Sequence, residues 1–202
     1  MGKVKLPRSK FPLSEAIKIS TENITKRPSR SIITSFGIIL GLAFLTALLI
    51  MSNILNYIER ESTAIAEYTW WLAGISLLVA LVGITNSMLM AVTERTKEIG
   101  VYKTLGGTFS HILKMFLIES IILGAIGGLI GSLIGIITGG AIYSYRFGLD
   151  KVVEALISDV GLIPSLILLS ILIGIISSVV ASLYPIWRGA RLDPAEALRF
   201  EV

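Results

Sequence analysis

TERTKEIGVYKTLGGTFSHILK, residues 93–114, is the longest strongly polar interruption between the hydrophobic runs of this 202-residue chain. Glu94, Arg95, Lys97, Glu98 and Lys103 surround the apolar Ile99, Val101 and Leu105, and Gly106 and Gly107 then stop the helix. The pattern predicts a short amphipathic helix over about 94–107, too ordered to be a passive linker. Held between two membrane spans, such a helix can press on something soluble.

Outward from this stretch the chain becomes apolar. It is 53% hydrophobic, with a mean hydropathy of +0.80, which excludes an ordinary soluble domain. The apolar residues form unbroken runs, each long enough for a hydrocarbon core of about 30 Å, which takes roughly 20 helical residues. In lipid every backbone N–H and C=O must be satisfied within its own segment, so these runs are helices. The expectation is an all-α membrane protein with four transmembrane helices, at about 31–53, 69–92, 112–141 and 164–184. They form one four-span domain, 31–202, preceded by a cytoplasmic or interfacial segment, 1–30. The third span, about 30 residues or about 45 Å, exceeds the bilayer core and must tilt or project.

The flanking segments carry their own signals. FPLSEAIKISTENI (Phe11–Ile24) reads as an amphipathic helix in the inner interface, followed by a basic anchor at Lys26, Arg27 and Arg30. From Leu42 to Ala73 there is neither Gly nor Pro, yet the chain must reverse within NYIERESTAIAE (Asn56–Glu67). Both helices should therefore run past the bilayer and meet in a tight hairpin. Tyr68, Trp70 and Trp71 sit where an outer aromatic belt belongs. In the second external segment, Val152, Val153, Leu156, Ile157 and Val160 suggest a short helix resting on the outer surface. Pro164 suits the first turn of the fourth span, and Pro185 and Trp187 mark its inner end. In the tail, Asp193 as N-cap, Pro194 at the first helical position and Glu196 three residues after the cap form a capping box, opening a final helix over about 193–200.

Charge sets the orientation. Residues 1–30 carry eight basic and two acidic side chains, and residues 93–114 carry four and two. Both external segments are net negative. The consistent topology has both termini and the 93–114 crossing in the cytoplasm, as a multi-pass protein of the cytoplasmic membrane. Contact with membrane lipid explains the basic N-terminal stretch better than nucleic-acid binding does. No apolar h-region, and hence no cleavable signal, is visible in the first 30 residues.

Few groups inside the spans could carry chemistry. Gly124, Gly127, Gly128, Gly131, Gly135, Gly139 and Gly140 lie in the third span, and four of them recur every fourth residue as a small-residue stripe. Such a stripe implies a partner helix at backbone contact, in this chain or in a second copy. Glu119 is the one ionisable residue well inside a span, and a structural pairing with a basic group near Arg95 or Lys114 is the favoured reading over a proton relay. Asn86 reads as an interhelical hydrogen-bonding residue rather than a ligand. With no cysteine and one histidine, neither a disulfide nor a Cys/His metal site is expected. No P-loop and no catalytic constellation is present, so no enzyme activity and no cofactor are expected in this chain.

NSMLMAVTERTKEIGVYKTLGGT (86–108), continued by FLIESIILGAIGGLIGSLIG (116–135) and closed by YPIWRGARLDPAEALRFE (184–201), resembles ABC-transporter permeases of the MacB/FtsX type, LolC and LolE among them. The resemblance covers about residues 84–202, with three motifs in the family's order and spacing. It implies four-span subunits, paired as a homodimer or heterodimer, on two cytoplasmic ATPases of the MacB/LolD kind that bind ATP and Mg. Glu94, Arg95, Lys97, Glu98, Ile99, Gly100, Val101, Lys103, Leu105 and Gly106 match its coupling helix, seated on the ATPase. Asp193, Pro194, Glu196, Ala197 and Leu198 match a second contact. Members act as mechanotransmitters, turning ATP-driven closure into work outside the membrane. The family commonly carries a sizeable extracytoplasmic domain between its first two spans, and only about residues 54–68 occupy that place here. Either this is a minimal member or that domain has been cut out.

The resulting expectation is a permease subunit coupling the ATPase's hydrolysis to the outer face. Two alternatives stand beside it. One is a stand-alone four-span scaffold or pore with no ATPase. The other is a family-type regulator of a wall hydrolase or sensor of an antimicrobial peptide, with an extracytoplasmic partner on Asn56–Glu67 or Tyr143–Gly161.

Overall fold

A computed structural model describes Thr21 and residues 28–59, 63–104 and 109–191. Six helices follow one another: α1 (Pro28–Glu59), α2 (Thr63–Glu94), α3 (Thr96–Thr104), α4 (Phe109–Phe147), α5 (Leu149–Ser158) and α6 (Leu162–Ala190). Four of them contain stretches long and apolar enough to cross a membrane: Ser35–Ile58, Tyr68–Glu94, Ser110–Phe147 and Leu162–Gly189. The N-terminal interfacial helix, the Asp193 capping box with Glu196, Ala197 and Leu198, and the Leu105–Gly107 stop lie outside the described residues.

The helices overrun the expected spans. α1 and α2 have 32 residues each, ending at Glu59 and beginning at Thr63, so both helices run long, as the breaker-free sequence predicts; the turn between them lies outside the described residues. α4 has 39 residues, about 58 Å at 1.5 Å per residue, and continues past Ala141 to Phe147. Gly148 then takes φ 94°, a conformation open to glycine, and turns the chain into α5.

Pro185 does not end α6. The helix runs through it to Ala190, and the ring is fully buried. A proline inside a helix removes one N–H and orphans the carbonyl four residues earlier, here Ala181. Thr85 on α2 answers it, with Oγ1 at 3.3 Å from Ala181 O and 2.8 Å from its own Leu81 O. Hydroxyls of neighbouring helices commonly re-satisfy backbone freed in this way.

In the bundle, α4 packs on α1 and α6, and α2 packs on the same two helices from the opposite corner. The glycines of α4 allow this, and both of their partners lie within the chain. Gly127, Gly131, Gly135 and Gly139 face α1; a Cβ on Gly131 would come 2.9 Å from Ile39 O. Gly124 and Gly128 face α6, where a Cβ on Gly128 would come 2.7 Å from Ile171 Cα. Buried hydroxyls join the same helices. Thr46 Oγ1 lies 2.8 Å from Ser170 Oγ, and Ser178 Oγ donates to Ser120 O at 2.7 Å.

α5 does more than rest on the outer surface. Val152 and Ala155 are buried against Ile50, Ile54, Tyr143 and Leu166, while Val153, Ile157 and Val160 stay exposed. One face of the helix therefore closes one end of the bundle.

Candidate functional site

The polar crossing is a corner built on a buried ion pair. α2 ends at Glu94, Arg95 occupies a turn, and α3 begins at Thr96, so Glu94 closes the span instead of opening the crossing helix. Arg95 N donates to Val92 O at 3.2 Å, and Ile99 N donates to Arg95 O at 2.9 Å. Thr96 Oγ1 lies 2.6 Å from Thr93 O, which fastens the corner on its other side.

Arg95 points into the protein. Its Nη1 donates to Glu119 Oε2 at 2.9 Å and its Nη2 to Oε1 at 3.3 Å, and both side chains are nearly inaccessible. The guanidinium carbon also sits 5.8 Å from the Phe116 ring centroid, one turn before Glu119 on α4. A two-pronged Arg–carboxylate pair fixes orientation as well as distance. Beside it, Ile99 packs with Val92, Ile112, Met115, Phe116 and Ile186. α3 is thus pinned to the first turns of α4 by one ion pair and one apolar plug, with the end of α6 beneath.

This divides the sequence-derived coupling residues into two sets. Arg95, Ile99 and Gly100 are buried in the chain's own core, so they hold the helix and do not present a contact surface. Their burial follows from helical phase, which turns 95 and 99 toward α4 together. Glu94, Lys97, Val101 and Thr104 face outward, and Lys103 is half-buried. Glu98 continues the backbone of α3, and its side chain lies outside the described residues. Glu119 pairs with Arg95; Lys114 is exposed.

Asn86 also departs from expectation. It is exposed on the outer side of α2 and, among the described residues, makes no interhelical hydrogen bond. Ile84, Met88 and Ala91 take the core-facing phase of that helix, which leaves 86 on the opposite side. Further residues that hold the bundle together are Phe116, under Arg95, the hydroxyls of Thr46, Thr85, Ser170 and Ser178, and the backbone carbonyl of Ser120. The signal for the hydroxyls is the presence of small polar residues in apolar spans.

Four membrane-length helices, a pinned short helix between the second and third of them, and no strand among the described residues define an all-α membrane protein. A model of the FtsX-like permease C-terminal family matches residues 70–194, and the chain belongs to that family. It is similar to the ABC transporter permease YknZ of Bacillus subtilis, with 43% identity over 139 residues, 64% of this chain and 30% of that protein. It is also similar to the macrolide export ATP-binding/permease protein MacB of Escherichia coli K12, with 30% identity over 151 residues, 75% of this chain and 22% of that protein. The MacB of Shigella flexneri matches to the same extent. The chain therefore spans less than a third of the length of these relatives.

Proposed function

We propose that this chain is the permease subunit of an ABC-type complex, in which a separate cytoplasmic ATPase hydrolyses Mg-ATP and drives the spans through α3. The observation that supports this most is the Arg95–Glu119 pair, which makes the α2–α3 corner and α4 move together. A push on a helix fastened only by loops would be lost in those loops. A push on α3 reaches α4, and through its glycine contacts reaches α1 and α6. The outward face bearing Lys97, Val101 and Thr104 is the surface offered to the ATPase. Leu105 and Gly106 extend that surface in this reading, and Asp193, Pro194, Glu196, Ala197 and Leu198 supply a second contact.

Both termini are cytoplasmic in this arrangement. Work is delivered at the outer end, where Asn56, Tyr57, Ile58, Lys151 and Glu154 line an open depression that suits an extracytoplasmic partner. The test is purification of the tagged chain from its native membranes, followed by measurement of Mg-ATP hydrolysis in the eluate. Wild type should bring down hydrolysis. Lys97→Glu and Val101→Glu should lose most of it, and Lys151→Glu at the outer end should keep it. An eluate without ATPase activity from the wild-type chain would sink the reading.

A further inference from the structure

α5 has three sectors around its axis. Val152 and Ala155 lie on one side, where they pack with Ile50, Ile54, Tyr143 and Leu166. Asp150, Lys151, Glu154 and Ser158 share the far side and are exposed. Leu149, Val153 and Ile157 form a sector between the two, about 80° wide at about 100° per residue. They are exposed as well, Leu149 and Ile157 to 68% and 66%, and Val160 follows at 82% just past the helix end. A helix that only capped the bundle in water would need the first two sectors and not the third. Large apolar side chains side by side on ten residues mark a surface that something covers.

The height of α5 in the bundle identifies the cover. At the α3 end, Ile186 on α6 and Val92 on α2 belong to one cluster, so they mark a common level. Leu166, which packs with Val152 and Ala155, stands twenty residues before Ile186, about 30 Å along α6. The same distance along α2 from Val92 reaches Leu72, next to Trp70 and Trp71, which are 71% and 76% exposed. A hydrocarbon core is also about 30 Å thick, and exposed tryptophans near a span's end mark its boundary with the headgroups. This register puts α5 at that boundary, not beyond it in water. The exposed side of α4 leads to the same place: Ile134, Ile137 and Ile142 are followed by Tyr145, and Leu149 comes next after the turn at Gly148.

We propose that the Leu149, Val153 and Ile157 sector of α5 is a membrane-surface anchor, seated among the upper acyl chains of the leaflet opposite α3. Lipid suits each side of the helix. The apolar sector meets acyl chains, the polar sector stays in the wet headgroup layer, and the buried sector holds the bundle. A protein seated on the apolar sector would have to displace lipid from the same boundary. The charged groups that could orient a protein, Lys151 and Glu154, instead line the depression shared with Asn56 and Tyr57. Because α5 joins α4 to α6, the anchor sets the depth at which one helix leaves the membrane and the other enters it. This assignment uses no property of the ATPase and stands or falls apart from the coupling reading.

The absence of cysteine makes the test direct. Single cysteines along α5 would carry a nitroxide in the full chain, reconstituted in vesicles of phosphatidylethanolamine and phosphatidylglycerol. Power saturation of the spin signal compares collision with oxygen, which concentrates among acyl chains, and with a water-soluble nickel chelate. Ile137→Cys, on the exposed side of α4, sets the ratio for hydrocarbon. Leu149→Cys, Val153→Cys and Ile157→Cys should favour oxygen, with a ratio several-fold above that at Asp150→Cys and Glu154→Cys. Nickel contact at 153 and 157 as high as at 154 would put water on that sector and overturn the proposal. Low collision with both reagents at 153 and 157 would reveal a protein cover and overturn it equally.

Discussion

Arg95 and Glu119 meet in a two-pronged pair, 2.9 and 3.3 Å, between a turn at the end of α2 and the third turn of α4. Two buried charges are costly to take from water, and their attraction roughly offsets that cost only while the geometry holds. Such a pair is a specifier of position more than a source of stability. It decides where α3 sits, and the exposed face of α3 is the part that a partner would touch.

Removing one member leaves the other charged and buried. Glu119→Ala and Arg95→Ala should each lower stability by about 3–5 kcal/mol. The double replacement Arg95→Met with Glu119→Leu should recover most of that loss, because no charge is stranded. Thermal unfolding of the detergent-solubilised chain measures all three. Recovery of stability without recovery of co-purified ATPase activity would identify the pair as a positioning device. Equal melting temperatures for the single variants and wild type would show that the pair contributes nothing.

The glycines of α4 make a sharper contrast. A methyl on Gly128 meets the α6 backbone at 2.7 Å, whereas one on Gly140 meets nothing within 4 Å. Gly128→Ala should therefore destabilise by about 1–3 kcal/mol through overpacking. Gly140→Ala should be neutral or stabilise by up to about 1 kcal/mol through helix propensity. Melting temperatures that move in the same direction for both would show that helix propensity, not packing, governs these positions.

Sidedness follows from charge and can be read with a cysteine-free chain. Lys151 on α5 and Thr104 at the end of α3 are both exposed, at opposite ends of the bundle. On intact cells a membrane-impermeant maleimide should label Lys151→Cys, and it should reach Thr104→Cys only after permeabilisation. The reverse pattern would invert the topology.

Much of this fold was legible because the signals are one-dimensional. Apolar run length marks four helices, and lipid leaves no alternative to helix. A glycine every fourth residue marks a close partner, although it does not say which helix answers. Phase was harder. The polar letters of Glu94–Lys103 read as one surface, yet Arg95 and Lys97 lie about 200° apart around a helix axis and part company at once. Asn86 fails for the same reason, since its register against Ile84 and Met88 decides its face. Pro185 misleads because proline ends helices in water, while in a bundle a hydroxyl from α2 can take over the carbonyl it frees.

That last exchange can be measured. Thr85→Val deprives Ala181 O of its donor while Pro185 still withholds the backbone N–H, and should cost about 0.6 kcal/mol, the usual size of an interhelical hydrogen bond in a membrane protein. Pro185→Ala restores an N–H to the same carbonyl, so in its presence Thr85→Val should cost close to nothing. Pro185 is also fully buried, so its own replacement carries a packing loss that says nothing about the hydrogen bond. The informative quantity is the coupling between the two changes, read from a double-mutant cycle of detergent unfolding. A positive coupling near the single-variant loss assigns Thr85 to the proline gap. Strict additivity would mean that its hydroxyl serves only Leu81 O within α2, and that the α6 carbonyl is met in some other way.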